Sequence, residues 1–336
     1  MFFSRTVSAA CAVIMLTFFC CFTLFAGGEP EAVSKPAGDI PQRETGVEYP
    51  VTIEDDYGNL GGQENHIIVL KEPVEKVIVG EKGCALVLLE FEISHKVVAA
   101  GEWIVSEIPG YEEIPSIGGS FMDIELILGL NPDIVITLFS NSTQSTAQLA
   151  RAGIPVYTVG AVRNLEHIKE HIFEYGLMFD KQDAARDLIE EMKAKEGKAA
   201  ELTAAKNLRE EDKPRVFMFG PMGDLNTLQT WAPAGGTIVD DIIRKAGGRC
   251  LAAEQGLTGW PQYSLEALLE SDPEIIILPL SEAEFSSVEE FTSMDLVQSL
   301  QAVRNNRVYG IDSSLLFDLS YKTATALLKF AQFINE

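Results

Sequence analysis

Residues 124–136 read IELILGLNPDIVI, and residues 265–277 read LEALLESDPEIII. Each stretch has the apolar spacing of a short helix, then Asn or Asp, then Pro and an acid, then a β-branched run that suits a buried strand. Proline cannot continue a helix and disfavours helical backbone in the residue before it, so Pro132 and Pro273 close the two helices at the same place. A glutamate, Glu125 or Glu266, stands in the first turn of each. One chain carries the same helix–strand unit twice, and what surrounds each copy decides the fold.

Around the first copy, VTI (51–53) and HIIVL (66–70) flank the turn Asp56-Tyr57-Gly58-Asn59 and read as a β-hairpin. EKVIVG (75–80), KVVAAG (96–101) and IPVYTVG (154–160) read as buried strands. CALVLLEFEI (84–93) and STQSTAQLARAG (142–153) read as helices, the second closed by Gly153. Around the second copy, RVFMFG (215–220) and RVYGID (307–312) are strands. GGTIVDDIIRKAGG (235–248), FTSMDLVQSLQAV (291–303) and DLSYKTATALLKFAQFI (318–334) are helices. Strands alternating with helices imply parallel sheets covered on both faces. Between the two halves, residues 164–208 are helical in two pieces, and the second would run roughly 40 Å at 1.5 Å per residue. That is too long for a crossover within one lobe, but it suits a rigid strut between two. The expected fold is α/β: two Rossmann-like lobes with parallel sheets joined by one long α-helix. The expected boundaries are 49–165 for the N-terminal lobe, 166–210 for the connecting helices and 211–336 for the C-terminal lobe.

The 336 residues are 46% hydrophobic and carry a formal net charge of −24. The hydrophobic share supports a real core. The acidic balance argues against nucleic acid as a partner, because phosphate binding needs a basic footprint; it suits a soluble monomer held apart from its neighbours by repulsion. Residues 1–27 read as a secretory signal peptide: Arg5, an uncharged apolar run, then Ala26 and Gly27. An uncleaved anchor and a lipoprotein modified on Cys20 or Cys21 are competing readings. All three place the mature chain outside the cytoplasm, in the periplasm or on the outer face of the cytoplasmic membrane, with membrane attachment at most through this segment. Residues 28–48, rich in Pro, Gly and acids, read as a disordered tether. Past the leader only Cys84 and Cys250 remain, with no C-x-x-C motif, and both read as small buried apolar residues.

In open α/β sheets the helices begin, and ligands bind, beyond the carboxyl ends of the strands. Glu125 and Glu266 are therefore expected on the rim of a cleft between the lobes, one per lobe. An acid in a first turn also complements the helix dipole for a few tenths of a kcal/mol. Two at matched places make, in addition, a docking mark for a basic partner. Pocket residues are expected on the same edges: Trp103, Phe121, Met122, Phe139, Met222, Trp231 and Trp260, with Tyr57 and Arg163 beside them. All three tryptophans fall in loops or helix starts, which favours a flat apolar ligand over core packing.

From Tyr49 to its end the chain resembles the periplasmic substrate-binding proteins of ABC importers for iron–siderophore complexes, haem and vitamin B12. The resemblance rests on VTIEDDYGN, VEKVIVG, IPSIGGSFMDIELILGLNPDIVIT, LARAGIPVYTV, AGGTIVDDIIRKAGG, WPQYSLEALLESDPEIIIL and LQAVRNNRVYGID, in the family's order and spacing. It implies two Rossmann-like lobes and one connecting helix. It also implies capture of a metal chelate and delivery to a permease dimer, whose arginine pockets would receive Glu125 and Glu266. Family members often carry arginines in the cleft for anionic siderophores, and IDSSLLFDLSY (311–321) has no basic residue. A neutral hydroxamate complex, a corrinoid or haem therefore suits the chain better than a catecholate complex.

Three other readings compete. Bare metal ions need converging His and carboxylates; of the four histidines, His167 and His171 are a helical turn apart, but among Glu166, Lys169, Glu170 and Glu174 they read as a solvated face. An enzyme reading has little to stand on. VGEKG (79–83) is neither G-x-G-x-x-G nor a P-loop, no G-x-S-x-G is present, and paired carboxylates on different lobes are too far apart for a glycosidase. No cofactor is implied. A ligand sensor without a transporter would use the same cleft.

Overall fold

The computed structural model describes residues 48–57, 64–119, 121–138, 143–220, 228–281 and 285–336. The leader, most of the tether, Phe139 and Met222 lie outside the described residues.

Alternating burial defines the first pair of strands. In β1 (Val51–Glu54) and β2 (Ile67–Leu70), antiparallel with Val51 opposite Leu70, residues Val51, Ile53, Ile68 and Leu70 face inward. The N-terminal lobe then follows in order: β3 (Val77–Val79), α1 (Lys82–Glu90), β4 (Val97–Ala100), α2 (Glu102–Glu107), α3 (Ile124–Leu130), β5 (Ile134–Leu138), α4 (Thr143–Arg151) and β6 (Val156–Val159). Its sheet is parallel with spatial order β4-β3-β5-β6. Valines and isoleucines fully buried on both faces explain why these strands read as unbroken apolar runs.

Two helices follow, α5 (Leu165–Phe179) and α6 (Gln182–Lys206). The C-terminal lobe comprises β7 (Arg215–Met218), β8 (Thr230–Trp231), α7 (Ile238–Lys245), β9 (Arg249–Cys250), α8 (Leu251–Glu254), β10 (Gln262–Tyr263), α9 (Leu265–Ser271), β11 (Ile275–Leu280), α10 (Val288–Thr292), α11 (Gln301–Arg304), β12 (Val308–Asp312), α12 (Ser314–Phe317) and α13 (Thr323–Asn335). Its parallel sheet runs β9-β7-β11-β12, the same order of second, first, third and fourth strand as in the other lobe. The repeated sequence unit is thus a repeated topology.

The echo is also exact in its local chemistry at several points. Asp123 and Ser264 cap α3 and α9, accepting the amides of Leu126 at 3.0 Å and Ala267 at 3.3 Å. Asn131 and Asp272 end them in left-handed backbone, φ 47° and 41°. The prolines that follow disfavour right-handed helix there, but the left-handed residue makes the stop. Asp133 accepts the amides of Glu75 and Lys76 before β3, and Glu274 accepts the amide of Arg215, which begins β7. The acid after each proline therefore ties the third strand of its sheet to the first.

The helix α6 lies between the lobes, packing on α5 on one side and on α13 and α7 on the other. It buries Ala185, Leu188, Ile189, Met192 and Ala199, while its outer face carries ion pairs such as Lys193–Glu190 and Lys195–Glu191. No helix among the described residues is long and apolar enough to cross a membrane.

Three expectations are corrected. Residues 291–303 do not form one helix. They are divided between α10, a 3-10 turn (Asp295–Val297) and α11, because the Gln298 amide caps Thr292 and Met294 carbonyls and Asp272 takes the Gln301 amide. The last helix begins at Thr323 rather than residue 318, since Leu319 adopts a left-handed φ of 49°. The face around residues 166–174 is not solvated throughout: Lys169 is 4% and His171 8% exposed.

Candidate functional site

The strands of the N-terminal lobe deliver short loops at their carboxyl ends. Gly80 follows β3 and Gly101 follows β4, and the Glu102 amide bonds the Gly118 carbonyl at 2.9 Å, which binds the loop of residues 116–119 to the start of α2. Trp103, at the second position of α2, is 60% exposed, and Phe121, just before α3, is 82% exposed. A Cβ on Gly119 would stand 3.2 Å from Glu102 Oε2 and 3.8 Å from Trp103 Nε1, so the glycine lies under one acid and one indole. Two large aromatic faces in water are costly unless something covers them. Met122, which follows Phe121 in sequence, points the other way and packs with Ile78, Ala99 and Ile127 in the lobe core.

The C-terminal lobe places its aromatic residues differently. Gly220, just past β7, donates its amide to Thr230 Oγ1 at 3.0 Å. A Cβ on Gly220 would stand 1.7 Å from the Trp231 carbonyl and 3.1 Å from the Trp260 ring, so only glycine fits. Trp231 lies in the ribbon formed by β8 and β10, opposite Gln262. Trp260 packs against Phe317, ring centroids 6.1 Å apart. Phe317 ends α12 just after β12; it was not among the residues expected at the site, since nothing in its local sequence distinguishes it from core.

Glu125 and Glu266 are both exposed, each in the second position of its helix. The Glu266 carboxyl is held below the usual carboxylate range by its own amide and the Ser264 hydroxyl. Arg163 is exposed after β6, its amide 3.4 Å from His167 Nδ1. Tyr57 is buried and stacks on His66 with centroids 4.4 Å apart, while His66 bonds the fully buried Asp55 at 3.0 Å. Tyr57 therefore stands in the hairpin's own polar core.

A buried polar group that the sequence does not announce lies under the N-terminal lobe's edge. Asp56 Oδ2 bonds His171 Nε2 at 2.7 Å and the Gly160 amide at 3.1 Å, bringing the hairpin, β6 and α5 together. Burial pushes the Asp56 carboxyl up, but the hydrogen bond and charge of His171 override it and hold the group low. Burial likewise pushes His171 down, and Asp56 outweighs it, so the imidazole is raised. Glu81 caps α1 from a buried position, 5% exposed, accepting the amides of Gly83 at 2.7 Å and Cys84 at 2.5 Å. Among the described residues no group of three or more His, Cys, Asp or Glu is arranged to hold a metal ion.

Comparison with known proteins agrees with this architecture. A family model described as "Periplasmic binding protein" matches residues 77–315. A cobalamin-binding protein of Halobacterium salinarum is 23% identical over 280 residues, covering 82% of this chain and 70% of the relative. Among solved structures, a periplasmic heme-binding protein from Roseiflexus sp. RS-1 superposes with a TM-score of 0.65 at 20% identity, over 78% of this chain and 98% of that one. A periplasmic vitamin B12 binding protein of Vibrio cholerae superposes with a TM-score of 0.63 at 20% identity, over 78% of this chain and 97% of that one. At such identities the structural likenesses speak to the fold.

Proposed function

The chain belongs to the periplasmic binding protein family, and on that footing we propose that it is an extracytoplasmic solute-binding protein for a metal chelate with flat apolar faces. A corrinoid ranks first, before haem or a ferric hydroxamate. The chelate is captured beyond the carboxyl ends of the two sheets and delivered to the permease dimer of an ABC importer, which Glu125 and Glu266 engage. The observation that carries this reading is that each lobe holds large aromatic residues in its strand-end loops and helix starts, Trp103 and Phe121 on one and Trp231, Trp260 and Phe317 on the other.

Charge supports the ranking. Around these patches stand the acids Glu102, Glu107 and Asp318; Lys82 is engaged by Glu107 and, at 3.5 Å, by Asp318. Among the described residues Arg163 is the exposed cation nearest in sequence to the carboxyl end of a strand in the two parallel sheets. A ligand with several free carboxylates or catecholates would meet repulsion there, whereas a corrinoid presents amides and a flat hydrophobic edge. The similarity to a cobalamin-binding protein over most of the chain points the same way. Titrating cyanocobalamin, hemin and ferrichrome into the purified protein by calorimetry tests the ranking. Cyanocobalamin should bind tightest, and the protein taken from its native host should show corrinoid absorption bands. Binding of hemin or ferrichrome with no response to cyanocobalamin would overturn it.

A further inference from the structure

The first turn of α1 meets the C-terminal lobe head-on. A Cβ on Gly83 would stand 2.6 Å from the Leu319 carbonyl oxygen, 3.0 Å from that of Asp318 and 2.9 Å from Glu81 Oε1. The backbone of residues 318–319 therefore presses on the helix start where the Glu81 carboxyl is buried. Leu319 holds a left-handed φ of 49°, a conformation that costs a branched residue about 1 kcal/mol and persists only where its surroundings enforce it. Two further contacts cross beside it: Lys82 with Asp318 at 3.5 Å, and the Tyr321 hydroxyl with Glu90. Below them lies a small cavity, roughly one water molecule in size, lined by Glu81, Gly83, His171, Tyr175, Leu319 and Ser320.

The groups facing Glu81 come from both lobes. From its own helix come Lys82 and Cys84; from α5 come His171, paired with Asp56, and Tyr175; from α2 comes Glu107, on Lys82; from the turn of residues 318–322 come Asp318 and Lys322. Among the described residues Glu81 has no ion-pair partner, only two amides. Two carboxyl groups, Glu81 and Asp318, thus approach one another across the lobe boundary, and the ammonium groups beside them, Lys82 and Lys322, act on Asp318.

We propose that the first turn of α1 and the turn of residues 318–322 form a proton-sensitive latch between the lobes, closed when Glu81 is neutral and loosened when it is ionised. A neutral carboxyl is buried beside this turn at little cost. An ionised one is desolvated there and meets the Asp318 charge, and is relieved when the turn lifts and water enters the cavity. Burial, with Asp318 adding to it, raises Glu81 to about 7 against the pull of its two amides and of His171, and burial raises Asp318 as well. The switching range then falls in the neutral region. The latch stands on the fold alone and does not depend on which ligand is carried.

Hydrogen exchange of the ligand-free full chain, read by mass spectrometry and corrected for the intrinsic pH dependence of exchange, tests it. Between about pH 5.5 and about pH 8.5, opening of segments 82–90 and 318–325 should rise on the order of tenfold. Segments in α7 and β11 should not change. In Glu81→Gln the low-pH protection should persist across the range. Asp318→Asn, on the partly exposed side of the contact, should shrink the amplitude and move its midpoint to lower pH. A parent chain whose two segments are indifferent to pH would overturn the latch. So would Glu81→Gln keeping the parent's pH response. Should Glu81→Gln fail to fold, an Asp318→Asn response equal to the parent's overturns it equally.

Discussion

The two lobes share a strand order and an echoed helix, yet they present their aromatic residues in opposite ways. Trp103 and Phe121 stand in water at 60% and 82% exposure, whereas Trp260 and Trp231 are half-buried against Phe317 and around Gly220. The C-terminal lobe thus supplies a preformed floor whose aromatic residues also hold the lobe together. The N-terminal lobe leaves its two faces free, and on the proposed function a ligand would bury them. The scaffold occurs twice, and the loops at the strand ends differ between the copies, free of the sheet's packing constraint.

The sharpest break of this comparison is one methyl group placed in each patch. In Gly220→Ala the new Cβ would fall 1.7 Å from a backbone carbonyl, which cannot yield without moving β8. We expect a loss of about 3 kcal/mol or more, seen as a lowered unfolding midpoint in urea. In Gly119→Ala the nearest atom, at 3.2 Å, is the end of the flexible Glu102 side chain, and the loss should stay under about 0.5 kcal/mol. Equal losses would mean that both patches are equally built into their lobes.

Next in size is the buried Asp56–His171 pair, which ties the N-terminal hairpin to α5. Asp56 is held low, so its contribution is present above the ordinary carboxylate range and is lost as pH falls through its folded value. His171 is raised, so its contribution is present below its ordinary value and is lost as pH rises through its folded value. The pair is therefore worth most at mildly acid pH. Asp56→Asn should cost about 2 kcal/mol there, less than for a fully buried ion because a quarter of the Asp56 side chain reaches solvent. Urea unfolding at several pH values checks this: the difference between parent and variant should narrow on both the acid and alkaline sides. A constant difference would assign Asp56 a purely packing role.

Which features the amino-acid text discloses follows from distance along the chain. The helix–strand units at 124–136 and 265–277 act within themselves or on the neighbouring strand, so the doubled motif exposes them, while their caps at Asp123 and Ser264 and the ties of Asp133 and Glu274 to the first strands required the fold. The Asp56–His171 bond joins residues 115 positions apart, and the close pass of Gly220 over Trp231 joins a strand end to a ribbon with no strong pattern. His171 and Lys169 read as surface because charged neighbours surround them in sequence; the partners that permit their burial, Asp56 and Glu196, come from other elements. The exposed tryptophan of α2 was legible as a residue near a strand end. Its contrast with the packed Trp260 required the fold.

Removing one indole at a time sharpens the comparison further. Trp103→Ala should leave the unfolding midpoint unchanged and weaken cyanocobalamin on the order of tenfold, about 1.4 kcal/mol, because only the complex buries that ring. Trp260→Ala should lose comparable affinity and stability together, since the ring already packs on Phe317. Calorimetric titration beside a urea curve separates the two cases. A Trp103 variant that binds normally would move the ligand off the N-terminal patch.

The smallest effect on the folded chain is expected at the two echoed glutamates. Both are exposed in first turns, where an acid only complements the helix dipole. Even here the lobes differ. Glu125 follows a cap that is itself an acid, Asp123, whereas Glu266 follows the neutral Ser264, whose hydroxyl helps hold its carboxyl ionised. Glu266→Gln should therefore lower the unfolding midpoint slightly, and Glu125→Gln should leave it unmoved or raise it, since one of two neighbouring negative charges is gone. The double replacement by arginine should leave ligand affinity intact while abolishing uptake through the permease, because the charge that a basic pocket would receive has been reversed. If affinity falls with the reversal while uptake tracks it in proportion, the acids belong to the ligand's cleft instead. The two helices would then be echoes of ancestry with no shared surface for a partner.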